Sequence, residues 1–310
     1  MRVGSSMTEV VGGTPIVQLR KVVPADAADV FVKLEWFNPT GSYKDRMALA
    51  MIEEAERRGD LRPGMSVLEY TAGSTGSSLA YVCAAKGYHF MVVTSDAFAA
   101  EKLATMAALG ADLTIVPSVD GKITPDLTPR MIETARELAS DPDVHWTDQL
   151  NNADSLVGYH EVGIELLEQL EQPIDVFCCA VGTAGMATGV KNALEEGGSA
   201  ARVVIFEPDS SPVITTGEAG VNSVEGIGIG LMPPLLDLDR FDEARAISEA
   251  EAFAMARRLA AEEGLLAGGS SGLNVVGAIE LARELGPGHT VVTVACDTGL
   301  KYLAGGLYTR

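Results

Sequence analysis

A lysine stands where a helix is about to begin in the stretch Asn38-Pro39-Thr40-Gly41-Ser42-Tyr43-Lys44-Asp45-Arg46. Pro39 and Gly41 make a turn. Ser42 reads as the N-cap, and Asp45, three residues on, takes the place of a capping-box acid. Lys44 then falls in the first helical turn, where exposed N–H groups and the helix dipole already present positive potential. The ammonium form is disfavoured there, and the free amine is the form that reacts with a carbonyl cofactor. The competing reading is an ordinary surface lysine, so the rest of the chain must decide between them.

Three further stretches of small, hydrogen-bonding residues follow expected strands. Glu69-Tyr70-Thr71-Ala72-Gly73-Ser74-Thr75-Gly76 enters a helix and offers hydroxyls and N–H donors but no charge, which suits a carboxylate held at a helix N-terminus. A plain helix cap with flexible glycines is the alternative. Gly182-Thr183-Ala184-Gly185-Met186-Ala187-Thr188-Gly189 fails the dinucleotide fingerprint, because Ala184 and Ala187 stand where its second and third glycines belong. A strand, a turn of small residues and a helix start remain, and these fit one phosphate group better than a pyrophosphate. The third stretch, Cys296-Asp297-Thr298-Gly299, ends the last expected strand. Gly268-Gly269-Ser270-Ser271-Gly272 matches the nucleophile-elbow pattern, with His289 later in the chain, so a serine hydrolase is a rival reading.

These residues need elements to position them. Short apolar runs alternate with longer amphipathic ones, which predicts βα units and mostly parallel sheets. After a first extended run at 29–36, strands are expected at 66–70, 90–94, 113–117, 144–147, 175–180, 203–207 and 290–295. Helices are expected at 47–56, 75–86, 97–109, 127–140, 155–170, 185–195, 249–263 and 271–285. The Gly- and Pro-rich stretch 210–240 is left unassigned, and loops of that length are usually functional or mobile. A domain break is expected near 146–152, and two open α/β sheets facing each other would put their strand carboxyl ends on one cleft, where such sheets bind ligands.

With 310 residues, 47% hydrophobic and 21% charged, the chain is a globular protein of two-domain size. A formal charge of -20 argues against nucleic acid or an anionic membrane surface as partner, since both require basic patches. It leaves an anionic small ligand open, because backbone N–H groups can hold one inside an acidic protein. Cys83, Cys178, Cys179 and Cys296 lack metal spacing and read as reduced core thiols of a cytoplasmic protein. The four histidines are scattered, so no metal site is expected. No apolar signal core opens the sequence and no run of 18 apolar residues occurs.

Taken together, the chain resembles the fold-type II pyridoxal-phosphate enzymes, and specifically the cysteine synthase and cystathionine β-synthase family. The resemblance runs from Gly12-Gly13-Thr14-Pro15 through 38–46, 69–76, 182–189 and Val224-Glu225-Gly226-Ile227-Gly228-Ile229-Gly230 to 296–302. It implies two open, mostly parallel α/β domains facing a central cleft, as in tryptophan synthase β chains. The smaller, at 35–150, would carry the Schiff-base lysine and the substrate-carboxylate loop; the larger, at 11–34 plus 151–310, would carry the phosphate loop. The family motif N-P-x-x-S-x-K-D-R falls on 38–46 and implies that Lys44 carries pyridoxal 5'-phosphate. The T-S-G-N-T-G substrate loop falls on Thr71, Ala72, Gly73, Ser74, Thr75 and Gly76, with Ser74 at the position that contacts the cofactor. The G-T-G-G-T phosphate cradle falls on Gly182, Thr183, Ala184, Gly185 and Met186. The resemblance further assigns Gln149 to the substrate, Thr298 to the pyridine nitrogen, and Gly226, with Ile227 and Gly228, to the wall of the active site. It also implies a homodimer, and no regulatory module is expected beyond Arg310.

Three residues depart from the family pattern: Ala72 for a serine, Ser74 for an asparagine and Met186 for a threonine. The implied reaction is β-replacement on an activated L-serine such as O-acetylserine, with sulfide or another small nucleophile, in amino-acid biosynthesis. Lys44 would be the general base. A neutral hydroxyl at Thr298 cannot hold the ring nitrogen protonated by charge pairing, which favours elimination chemistry over transamination. The rivals are a β-elimination lyase, a diaminopropionate-type or cystathionine-type synthase, the serine hydrolase built on Ser270 and His289, and a binding protein that kept the fold and lost the substrate.

Overall fold

The computed structural model describes residues 4–71, 73–122, 124 and 126–308. The chain divides into two compact units, one of residues 1–11 and 44–158 and one of residues 12–43 and 159–310. The main segment of the first unit therefore opens at Lys44, and residues 35–43 pack with the second.

The elements alternate as the apolar pattern demands. Strands β1 (Ile16–Gln18) and β2 (Asp29–Leu34) precede helix α1 (Lys44–Arg58). Then come β3 (Ser66–Tyr70), α2 (Ser74–Lys86), β4 (His89–Ser95), α3 (Ala100–Ala108), β5 (Asp112–Val116), α4 (Leu127–Leu138) and β6 (Val144–Trp146). The long helix α5 (Ser155–Gln169) leads to β7 (Val176–Ala180), α6 (Gly185–Glu196), β8 (Arg202–Pro208) and a single turn, α7 (Val213–Thr216). The chain ends with β9 (Glu243–Ile247), α8 (Glu249–Arg258), α9 (Gly269–Leu285) and β10 (Thr290–Ala295).

Residues 35 and 36, expected to belong to the first extended run, lie in a turn of 3-10 helix at 35–37 instead, and 259–263 continue α8 as a π-helix. The unassigned stretch 210–240 is irregular apart from α7 and a 3-10 turn at its end. Two short strands, β1 and β9, were outside the expected set. Among the described residues no helix is long and apolar enough to cross a membrane.

The first unit holds a four-stranded parallel sheet in the order β5-β4-β3-β6. Its core gathers Leu68, Val93, Leu127 and Met131. The second unit holds six strands in the order β1-β2-β10-β7-β8-β9, parallel except for the β1–β2 pair. β10 is buried along its whole length, as a central parallel strand should be. Its fully buried Val291, Val292 and Val294 each stabilise the fold by about 1.5–3 kcal/mol relative to exposure. α9 packs Leu273, Val275, Ile279 and Leu281 into the same core.

This topology dictates where ligand-binding turns can be. In parallel sheets the loops at the strand carboxyl ends collect ligands. β3 and β6 are paired neighbours and lead into residues 71–73 and 147–149; β7 and β10 are paired neighbours and lead into 181–184 and 296–298.

Candidate active site

In the first unit Lys44 is the first residue of α1, so the helix begins later than a cap at Ser42 would set it. Ser42 instead forms an isolated antiparallel bridge with Asp297. The first turn of α1 is buried although it is charged, with Lys44 8%, Asp45 0% and Arg46 4% exposed. An ordinary surface lysine is excluded by that burial. Lys44 Nζ lies 3.7 Å from Met47 Sδ, a weak acceptor one turn on.

The turn after β3 carries its hydrogen bonds in side chains. Gly73 N–H donates to Thr71 Oγ1 at 3.2 Å, and Thr75 Oγ1 donates to Gln149 Oε1 at 2.6 Å. Thr71, Thr75 and Gln149 are thus brought together by the pairing of β3 with β6. Helix α2 opens at Ser74 with no side-chain cap, which leaves N–H groups of its first turn aimed along the axis. Ala72 lies outside the described residues.

The expected absence of charge around this turn is corrected by the structure. Glu69 is fully buried at its base, and the ammonium of Lys102, a buried residue of α3, comes within 3.4 Å of the point a Cβ on Gly73 would occupy. Burial pushes the Glu69 carboxyl up to about 7, against bonds from the Thr147 hydroxyl and the Gln149 and Tyr70 N–H groups that pull it down. Nothing in the spacing of Lys102 announces its place, since the contact depends on how α3 folds back over the turn.

In the second unit the turn after β7 carries no charged side chain. Ala184 has φ 69°, a left-handed conformation that a non-glycine residue adopts only under constraint, and α6 begins at the next residue with no side-chain cap. A left-handed residue followed by right-handed helix turns successive N–H groups toward one point and makes an anion nest. Gly182 is required where it stands, because a Cβ there would sit 2.2 Å from the Gly226 carbonyl oxygen. The chain next to Gly226 is tied to the same turn by the bond from Gly228 N–H to Val181 O at 3.3 Å.

After β10, Thr298 Oγ1 accepts from the Leu300 N–H at 3.3 Å, so its own hydrogen remains to be donated elsewhere. Gly41, at φ 72°, comes so close that a Cβ there would lie 2.8 Å from Thr298 Cγ2. Asp297 is buried and accepts from the Tyr302 hydroxyl at 2.6 Å. Within the second unit these groups fit pyridoxal phosphate, with an uncapped nest for a phosphate and a hydroxyl with a hydrogen to give to a ring nitrogen; the first unit contributes, by itself, a buried amine.

The serine-hydrolase constellation does not form. Ser270 is in the first turn of α9 and His289 lies beyond its last residue, Leu285. Fifteen helical residues span about 22 Å, far outside hydrogen-bond reach. No strand of the described residues runs into Gly268, and His289 Nδ1 pairs with Asp175 Oδ1 at 3.0 Å. A cavity of about 640 Å3 in this unit lies at the opposite, amino-terminal ends of the strands, lined by Pro173, Asp175, Arg202 and His289, away from every turn described above.

A family model described as pyridoxal-phosphate dependent enzyme matches residues 7–297. The chain belongs to the pyridoxal-phosphate dependent enzyme family. It is 42% identical over 306 residues to the cysteine synthase of Staphylococcus aureus (strain Mu50), covering 98% of this chain and 97% of that protein. Among solved structures of the family, O-ureido-L-serine synthase superposes with a TM-score of 0.93 at 33% identity, over 99% of this chain and 96% of that one. The cysteine synthase of Entamoeba histolytica gives a TM-score of 0.93 at 29% identity, over 100% and 92%. The sequence-derived expectations of fold class, family and pyridoxal-phosphate dependence are therefore borne out.

Proposed function

We propose that this enzyme replaces the β-substituent of an activated L-serine, O-acetylserine by preference, with sulfide or another small nucleophile. The observation that carries the reading is a buried lysine at the head of α1, inside the motif 38–46, in a chain similar along its length to cysteine synthases. Pyridoxal phosphate, when bound, supplies an electron-accepting ring that stabilises negative charge at the substrate α-carbon. Lys44 Nζ carries the cofactor and then takes the α-proton as general base. The N–H groups of 182–186 would hold the phosphate, Ser74 would contact the ring, and Thr298 Oγ1 would donate to its nitrogen. A neutral donor there leaves the ring a modest acceptor, which suits departure of a β-leaving group.

Thr71, the 72–74 backbone, Thr75 and Gln149 hold the substrate α-carboxylate, and Gly226 lines the space for its side chain. Ser74 is shorter than the family's asparagine and would need a bridging water to reach the ring. A homodimer in the cytoplasm belongs to the same reading, with sedimentation as the check on its size.

The test is direct. Borohydride reduction of the purified holoenzyme followed by peptide mass mapping should place the pyridoxyl label on Lys44, and Lys44→Ala should lose both the label and cysteine formation from O-acetylserine and sulfide. The expected loss is at least about 10³-fold, as for removal of a combined base and covalent anchor. A label on another lysine sinks the assignment. Pyruvate release without a nucleophile, at the rate of substrate loss, would turn the reading to the lyase.

A further inference from the structure

Residues 147–149 join β6 to the substrate-carboxylate group, and their backbone is not relaxed. Asp148 has φ 44°, one of the few non-glycine residues in the left-handed region among the described residues, a conformation that persists where its surroundings impose it. Local bonds hold Asp148 itself, with Asn151 Nδ2 donating to its two carboxylate oxygens at 3.0 and 2.9 Å and the Asn151 and Asn152 N–H groups donating to its carbonyl, and two anchors fix the residues on either side. Asn152 Nδ2 donates to Thr147 O at 2.8 Å from the carboxyl-terminal side. From β3, Glu69 Oε2 accepts both the Thr147 hydroxyl at 2.7 Å and the Gln149 N–H at 2.9 Å, while Glu69 Oε1 accepts the Tyr70 N–H at 2.9 Å.

We infer that Glu69 is a positioning residue, whose ionised carboxylate fixes the strained turn so that Gln149 meets Thr75 in the substrate-carboxylate group. The inference rests on the proposed role of Gln149 and Thr75. It follows from donor counting. Three donors converge on the two oxygens; a carboxylate accepts from all of them, whereas protonation turns one oxygen into a donor and a poor acceptor. Once Oε2 is protonated, its hydrogen must go to Thr147 Oγ1, which then turns its own hydrogen to Leu68 O, already 3.1 Å away. The Gln149 N–H is left against a carboxyl hydroxyl, a poor acceptor, and the turn that carries the Gln149 side chain loosens.

Glu69 is fully buried and titrates at about 7, and the groups that raise it are its own burial and the Asp148 carboxylate. Tyr70, whose phenol is pushed up to about 12 by burial and by Glu69 and Asp148, stays neutral and adds no competing titration. Substrate affinity should therefore follow the charge on Glu69: strong above pH 7 and weakening as pH falls through it.

Glu69→Gln keeps the shape and removes the charge. In the holoenzyme it should raise KM for O-acetyl-L-serine and the dissociation constant for L-serine, measured by calorimetry, by about tenfold, the scale of one hydrogen bond to a charged group. KM for sulfide, kcat and bound pyridoxal phosphate should hold. The wild-type rise in KM below about pH 7 should be absent from the variant. Should Glu69→Gln fail to fold, Thr147→Val withdraws one donor and must shift the wild-type inflection to higher pH. Wild-type amino-acid affinity with the inflection retained in Glu69→Gln, an unmoved inflection in Thr147→Val, or a fall in kcat at constant KM would overturn the inference alone. A wild-type holoenzyme that binds no amino acid would overturn the functional reading beneath it.

Discussion

The turn after β3 and the turn after β7 both leave a buried parallel strand, both pass through glycine, and both enter a helix that no side chain caps. They hold charge by different means. The first is a side-chain device, with Thr71 and Thr75 hydroxyls, the Gln149 amide, a buried carboxylate and a lysine ammonium gathered from distant positions around one turn. The second is a backbone device, with a left-handed Ala184 and a Gly182 that touches the Gly226 carbonyl. A grip made of N–H groups tolerates changed side chains but no added Cβ. A grip made of side chains can drift in sequence and be tuned, and it responds to pH.

That contrast breaks most sharply at Gly182. In Gly182→Ala the new methyl would meet a backbone oxygen at 2.2 Å, and a backbone atom cannot swing aside as a side chain can. Overpacking of this kind costs about 3 kcal/mol or more, so the variant should retain little pyridoxal phosphate and unfold at clearly lower urea. Met186→Thr, at the start of α6, shortens a buried side chain but adds no atom against the backbone, so it should cost about 2 kcal/mol of stability while pyridoxal phosphate binding holds. If the two variants behaved alike, the grip would not be a backbone one.

The side-chain turn should reveal itself through pH. Glu69 titrates at about 7 in the folded protein against an ordinary value near 4.5, so the folded state holds this proton more tightly than the unfolded chain. Its contribution to stability is complete below the unfolded value and is lost as pH rises through the folded one. At about 1.4 kcal/mol per pH unit of separation, ionising Glu69 withdraws on the order of 3 kcal/mol. Urea midpoints of wild type measured across this window should fall with pH relative to those of Glu69→Gln, and parallel curves would contradict the assignment. The enzyme thus gives up stability above neutrality in exchange for an ordered substrate turn, the pattern expected where function sets the charge state.

The same difference governs how far each region can be read from sequence. β7 and β10 stand at the residues their apolar runs mark, to within one position, because buried parallel strands carry near-continuous hydrophobic runs. β1 has only three residues and β9 reads Glu-Ala-Arg-Ala-Ile; both are edge strands with half-buried residues, and a short alternation built on alanines with no apolar run gives too weak a signal to mark a strand. The turn after β7 is legible because its glycines and small residues are the device. In the turn after β3 the residues that matter come from three elements, and the Thr75–Gln149 pair is separated by 74 positions. Periodicity cannot connect such residues, and a glutamate ending a strand looks like any other until its burial is known.

The finest probe of the side-chain turn is Thr75 itself. The residue is 4% exposed and its hydroxyl donates to Gln149 Oε1 at 2.6 Å, so Thr75→Val keeps the β-branched shape while removing the donor. An unsatisfied partly buried amide oxygen costs about 1–2 kcal/mol, and Gln149 would turn to recover it. KM for the amino acid should rise roughly tenfold with kcat held, since the hydroxyl serves ground state and transition state alike. Gln149→Ala should have a similar effect, and the double variant should be no worse than the poorer single one, because each removes the same contact. Full additivity would mean that the two residues act separately on the substrate, and the turn would then be a set of independent donors instead of one network anchored on Glu69.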